Sequence, residues 1–349
     1  MPSLKAVDKE RQLTAVGSFI FAGGFTLGMR EAGFEILAHL EDGPFGVATA
    51  RLNFSSIPIH TEPESWPLDQ LEDVDVVYAN PPCSPWSTAG IVRGQTFEQQ
   101  TDWKSHPSSG CMTLAFSLLS RIRPKIWCVE SVRQLYSKGK TAVDDMAKDA
   151  MNLGYDVHEL FVEAKNHNVP QHRKRYFMVC SRVKIDWKMP KWNSPTVYRA
   201  LSNTDQRDDM IGGTPKSIEG IIRLIKQGEN ARMVWDREVA AGRQPSSSRP
   251  AFIYDRMAGD RVSYTLLGSC NKIHPDEDRM LSVNESKAIC GFPCSFRFVG
   301  SMGDRYAQIG KGVCPPVARW LGENLAAAID QGRPVVKPQR TVTEVKQTI

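Results

Sequence analysis

Residues 16–42 read Val16-Gly17-Ser18-Phe19-Ile20-Phe21-Ala22-Gly23-Gly24-Phe25-Thr26-Leu27-Gly28-Met29-Arg30-Glu31-Ala32-Gly33-Phe34-Glu35-Ile36-Leu37-Ala38-His39-Leu40-Glu41-Asp42. An apolar run over 16–21 breaks at a glycine pair, a helical pattern follows over 27–32, and a second apolar run over 35–40 ends on two acids. The same order repeats down the first half. Residues 44–52 have a helical pattern, 75–79 a strand pattern, 111–122 helix, 126–129 strand, 143–153 helix, and 156–162 and 175–179 strands. Such alternation predicts an α/β fold with a doubly wound, mostly parallel sheet. Ligands in these sheets sit at the carboxyl ends of the strands. Gly23-Gly24, Glu41, Cys83 and Glu130 all fall at such ends.

A chain of 349 residues buries a large core and is long enough for two domains. Apolar residues make up 41% and charged residues 24%, ordinary globular values. No apolar run reaches the roughly 18 residues that span a bilayer. Met1 to Arg11 is polar and charged and lacks a secretory core. The eight cysteines include no Cys-x-x-Cys pair, and Cys290 and Cys294 have no second pair or histidines at zinc spacing, so no metal site is expected. Free thiols in a chain without a signal imply a reducing cytoplasm. Net charge is +5. The stretch 182–262 holds 15 Lys/Arg against 10 Asp/Glu. A basic, Gly/Pro/Ser-bearing segment suits a polyanion contact, and on charge alone it suits a solvated surface equally.

Asn80-Pro81-Pro82-Cys83-Ser84-Pro85-Trp86 follows the strand at 75–79. Prolines on both sides restrict the backbone and deliver a thiol on a rigid loop, as a nucleophile requires. A buried structural cysteine is the alternative. The glycine pair lets a ligand approach the backbone and the following helix N-terminus. An acid ending the second strand suits paired ribose hydroxyls. Gln171-His172-Arg173-Lys174-Arg175 is a dense basic loop entering a strand, or a solvated hairpin tip. Beyond residue 186 the pattern loosens, with helical stretches at 217–225 and 231–241. It tightens again from Tyr264 and closes in a helix at 317–329. The tail, 331–349, is polar and expected to be loosely ordered.

Taken together, Cys83, Glu130 in Val129-Glu130-Ser131-Val132, the Gln-x-Arg-x-Arg of 171–175, Gly291-Phe292-Pro293 and the run Tyr306-Ala307-Gln308-Ile309-Gly310-Lys311-Gly312-Val313 change the reading. In this order and spacing they resemble the DNA cytosine-5 methyltransferase family, over about residues 14–330. The resemblance implies a sheet of the S-adenosylmethionine-dependent methyltransferase type. It implies a catalytic, cofactor-binding domain of 12–182 plus 300–331, a smaller irregular target-recognition domain of 186–299, and a flexible tail of 332–349. It makes Cys83 the thiolate that attacks cytosine C6 and Glu130 the group that protonates or hydrogen-bonds N3. Arg173 holds O2 of the base, with Arg175 supporting the loop and the carboxylate. The target base must be flipped out of the duplex to meet Cys83. S-adenosyl-L-methionine is the implied cofactor, held by Phe19, Ala22, Gly23, Gly24, Glu41, Asp42, Asn80, Pro82, Gly310, Lys311 and Val313. Ser87, Gly90 and Arg93 are implied to close over the DNA backbone. Double-stranded DNA is the implied partner, with a monomeric enzyme, a cognate restriction enzyme as a candidate companion, and a bacterial or bacteriophage-infected cell as the setting.

The chain departs from the family pattern at several points. Gly17 stands where an acid is usual, Phe21 where the first glycine is usual, Gly43 in place of a common acid, and Ser131 in place of asparagine. Lys311 replaces the usual asparagine beside the donor pocket. An ammonium near a sulfonium is repelled unless an anion lies between them. A carboxylated donor, carboxy-S-adenosyl-L-methionine, supplies one, and the product is then 5-carboxymethylcytosine. Lys311 reaching solvent or a protein acid is the alternative. Two further readings are an RNA methyltransferase of the same fold and a catalytically silent DNA-binding relative.

Overall fold

The computed structural model describes residues 11–62, 66, 68–71, 73–83, 109–191, 194–202, 204 and 210–345. In chain order the elements are β1 (Thr14–Ser18), α1 (Gly24–Glu31), β2 (Glu35–Leu40), α2 (Pro44–Asn53), β3 (Ile59–His60), β4 (Val76–Ala79), α3 (Ser109–Ile122) and β5 (Ile126–Val132). There follow α4 (Gln134–Lys138), α5 (Lys140–Asn152), β6 (Asp156–Glu163) and β7 (Lys174–Ser181). The looser half contributes α6 (Val197–Leu201), α7 (Lys216–Glu219), α8 (Ala231–Ala240), β8 (Asp255–Arg256), β9 (Lys272–Ile273) and α9 (Val283–Ile289). The return is α10 (Met302–Lys311), α11 (Pro315–Gln331) and β10 (Arg340–Val345).

Eight strands form one sheet in the order β10-β6-β7-β5-β4-β1-β2-β3. All its pairings are parallel except those of β7, which runs antiparallel to both β5 and β6. Both faces are covered, which is why the central strands read as continuous apolar runs. Val76, Tyr78, Ile126 and Cys128 pack into one layer with Phe25 and Met29 of α1 and Ala318 and Leu321 of α11. Val77, Ala79, Trp127 and Val129 pack into the other with Met112 and Leu118 of α3 and Val143 and Met146 of α5. The strand period of two sends neighbours to opposite layers. The looser half owns a small core of Ile218, Ile221, Ile225, Val234, Ile273 and Met280, as a separate domain needs.

The tail differs from expectation. Residues 340–345 form β10, in parallel register with Val157 to Val162 of β6. Two anchors explain this. Val345 is buried, and Arg340 of β10 pairs with Glu159, whose side chain is fully buried in β6. An unpaired carboxylate there would be costly, so the tail completes the sheet rather than trailing from it.

Candidate active site

The strand ends bring the candidates together. Cys83 lies half-buried just past β4. Glu130, 3% exposed, projects from β5. Arg175 enters from β7, opposite Val132. Asn80, expected among the cofactor contacts, donates its side-chain amide to Glu130 Oε2 at 2.7 Å. Arg175 Nε forms an ion pair with Glu130 Oε1 at 2.9 Å. Burial pushes the Glu130 carboxyl up, against Arg175 and Arg173, which pull it down. Burial also pushes the Cys83 thiol up, and the Glu130 charge adds to the rise, while Arg175 and Arg173 oppose it. Arg175 itself is pushed down to about 10 by burial and by Arg173. Burial thus raises a carboxyl and a thiol in the same surroundings, and two guanidiniums oppose it.

Arg173, expected at O2 of the base, is placed among backbone carbonyls. It is 1% exposed, and its guanidinium is committed to backbone carbonyls. Nη1 donates to Leu266 O at 3.3 Å and Gly310 O at 2.8 Å, and Nη2 donates to Gly312 O at 2.9 Å. Those bonds join three remote stretches of chain, which makes Arg173 a positioning residue. Arg175 is the guanidinium that stands at Glu130. Gln171 works beside Arg173. Its Oε1 accepts from Leu266 N at 3.0 Å, and its Nε2 donates to Ile289 O at 3.4 Å.

The donor side forms at the ends of β1 and β2. Glu41 is buried, and its two oxygens accept from Phe21 N and Gly43 N, each at 2.8 Å. Burial pushes its carboxyl up to about 7 despite those bonds. Phe19 and Phe21 both hold left-handed backbone, with φ of 49° and 53°. Side chains with a Cβ adopt that region at a cost of about 1–2 kcal/mol. Phe19 packs edge-on against Trp66 at 6.0 Å. Ala22 and Gly23 are buried, and a Cβ on Gly24 would lie 2.1 Å from Val313 O, so the return after α10 presses onto the start of α1. Asp42 and Pro82 are exposed.

Gly17 also has an explanation that sequence reading missed. A Cβ there would meet the Tyr78 ring and hydroxyl at 2.6 Å. Tyr78, fully buried, shares a 2.7 Å hydrogen bond with Thr26, which also meets His39. The space beside Gly17 is filled by this polar network and by Ile20. Lys311 ends α10 and is exposed, its Cε 2.9 Å from where a Gly268 Cβ would stand. Ser87, Gly90 and Arg93 lie outside the described residues.

Sheet order and strand-end chemistry define the class: an α/β methyltransferase of the S-adenosylmethionine-dependent kind. The chain belongs to the C-5 cytosine-specific DNA methylase family, whose pattern it matches over residues 18–327. It is 29% identical over 338 residues to the Type II methyltransferase M1.HphI of Haemophilus parahaemolyticus, covering 89% of this chain and 86% of that protein. It is 25% identical over 342 residues to M.AplI of Arthrospira platensis, covering 95% and 90%. The solved structure of the Entamoeba histolytica methyltransferase EhMeth superposes with a TM-score of 0.65 over 92% of this chain and 99% of that one, at 14% identity, a likeness of fold alone. No helix among the described residues is long and apolar enough to cross a membrane.

Proposed function

We propose that this enzyme methylates C5 of a cytosine turned out of duplex DNA, through a covalent bond between Cys83 and C6. The observation that carries the reading is the grouping of Cys83, Glu130 and Arg175 at adjoining strand ends, with Arg175 at one Glu130 oxygen and Asn80 at the other. Cytosine C5 is a poor nucleophile. Addition of the Cys83 thiolate to C6 moves the ring electrons toward N3 and C5. Glu130, its carboxyl pushed up by burial, gives N3 a proton or a hydrogen bond as charge gathers there. Asn80 orients that carboxyl, and Arg175 faces it with a cation that stabilises the returning anion. C5 takes the methyl group as the donor leaves as its neutral thioether; the C5 proton then passes to a solvent base, the Cys83–C6 bond breaks with release of thiolate, and N3 returns its proton to Glu130.

The residues fit S-adenosylmethionine. Each Glu41 oxygen accepts one backbone N–H and keeps a lone pair for a ribose hydroxyl. The N-terminus of α1 has no side-chain cap and suits the carboxylate end of the donor. Phe19, Ala22, Gly23, Gly310 and Val313 are the further residues that would hold it. When bound, the donor supplies an electrophilic methyl group.

One observation favours a second reading for the donor. Lys311 has no hydrogen bond or ion pair among the described residues, so its ammonium is free to meet a carboxylate on the transferred group. The product would then be 5-carboxymethylcytosine. Incubating the protein and DNA with each donor, and with both in competition, separates the readings by nucleoside mass spectrometry. Methylcytosine from S-adenosylmethionine is the expected product. Carboxymethylcytosine that disappears in Lys311→Asn would establish the second reading. Unmodified cytosine with both donors would overturn both.

A further inference from the structure

Two thiols that take no part in the mechanism meet behind the strand-end site. Cys290 closes α9, its backbone N–H donating to Ser286 O at 3.2 Å and Lys287 O at 3.1 Å. Cys314 opens α11, and its carbonyl accepts from Val317 N and Ala318 N. Both are buried, and both are free thiols. The backbones beside them press together, since a Cβ on Gly291 would lie 2.9 Å from Pro316 Cδ. The Cys314 thiol donates a hydrogen bond to the Cys290 sulfur.

Polar groups of the active site reach this pair. Gln171 Nε2 donates to Cys290 Sγ at 3.3 Å, and Gln171 opens the loop that carries Arg173 and Arg175. Cys314 lines a cavity of about 10 Å³ together with Glu130, Arg173 and Arg175. That is room for roughly one water, or for an oxidant of similar size. The bond from Cys314 holds Cys290 below the ordinary thiol range, and Arg173 and Gln171 add to the fall while burial opposes it. Cys314 is pushed above that range by the same bond and by burial. A thiol that ionises beside guanidiniums, with a second thiol in contact, has the makings of a reactive pair.

We propose that Cys290 and Cys314 form a peroxide-sensitive dithiol that closes to a disulfide and weakens donor binding. The Cys290 thiolate attacks one oxygen of hydrogen peroxide, the O–O bond breaks, and the departing hydroxide takes a proton from solvent to become water. The Cys314 sulfur then attacks the Cys290 sulfenic acid. The S–O bond breaks, and its hydroxide leaves as water with the Cys314 proton. Two electrons have passed from the thiols to the peroxide. Closure draws the sulfurs in from hydrogen-bonding separation. Cys314 follows Gly312, whose carbonyl holds Arg173, and Val313, whose carbonyl presses on the start of α1. A shift there reaches the donor side. This effect rests on the S-adenosylmethionine reading above, whereas the disulfide does not.

The test uses the full chain carrying Cys83→Ala, so that oxidation of the nucleophile is not mistaken for that of the pair. After hydrogen peroxide, digestion without reductant should yield a linked Cys290–Cys314 peptide by mass spectrometry. Calorimetry should show S-adenosylmethionine bound about tenfold more weakly by the oxidised protein, with recovery in dithiothreitol. Adding Cys314→Ala, or in a second variant Cys290→Ala, should remove both the linked peptide and the loss of affinity. Both thiols still reduced when exposed Cys294 is oxidised, a bridge to Cys294 instead, or a linked pair with unchanged affinity would overturn the proposal. A reduced protein that binds no S-adenosylmethionine would instead remove the donor reading, and the peptide map would still decide the disulfide.

Discussion

Glu130 lies 2.9 Å from Arg175, and Glu229 lies 2.8 Å from Arg237, yet the two carboxyls shift in opposite directions. Burial pushes Glu130 up, whereas the Arg237 hydrogen bond holds Glu229 down. The contrast extends through both regions. At the strand ends Cys83 and Glu41 are raised by burial and Arg175 is lowered by it. In the recognition segment Arg249 holds Asp236 down and Arg243 holds Glu238 down. Residue types are shared, so the difference lies in water. A pair in solvent is stabilised as a pair, while a buried group that lacks full compensation moves toward its neutral form. Groups available for proton transfer collect where compensation is incomplete.

The largest expected effect breaks the catalytic side of this contrast. Cys83→Ala should lower single-turnover modification by at least about 10³-fold, with DNA binding and the thermal transition retained. Comparable rates in the variant would exclude the thiol.

A second expectation sharpens the contrast with a buried carboxylate that is fully paired. Glu159 accepts from Tyr176 at 2.8 Å and pairs with Arg340 of the tail. A chain ending at Gln331 leaves it without its cation and should lose about 3–5 kcal/mol in urea unfolding. Adding Glu159→Gln to that shorter chain should recover part of the loss. An unchanged midpoint would show that β10 contributes nothing.

Glu130→Gln should slow the chemical step by roughly 10²-fold with donor affinity little changed. It should also move the pH profile. Cys83 must lose its proton to attack, and its raised value places the rising limb of kcat/KM above the ordinary thiol value of about 8.5. The Glu130 charge is one cause of that rise, so removing it should shift the limb to lower pH. A limb that stays in place would separate the two groups. The smallest effect belongs to the recognition side. Arg249→Ala should cost less than about 1 kcal/mol in the same unfolding measurement, because its pair with Asp236 is half in water.

How far these regions were legible follows from how local their causes are. β2 fell at 35–40 as read, because an apolar run between a glycine and two acids has few other outcomes. The placement of Cys83 and Glu130 at adjoining strand ends was legible because each follows or ends an apolar run. The different placement of Arg173 and Arg175 was not. Their spacing is symmetric in Gln-x-Arg-x-Arg, and what separates them is contact with Leu266, Gly310 and Gly312, far along the chain. β10 was hidden for the same reason. Thr341, Val342, Thr343 and Val345 carry a strand signal, but the buried Glu159 that fixes them is remote in sequence. Gly17 looked like a defect until Tyr78 was seen to fill its space.

Covalent attack by Cys83 is the centre of the account, and trapping tests it most directly. The protein is incubated with S-adenosylmethionine and duplex DNA in which cytosines are replaced by 5-fluorocytosine, then digested and mapped by mass spectrometry. C5 then carries no proton to lose, so the bond from sulfur to C6 should persist. The account predicts a stable protein–DNA adduct on Cys83 that carries the transferred methyl group and is absent in Cys83→Ala. Modification of ordinary DNA by a protein that forms no adduct, or an adduct on another cysteine, would contradict it.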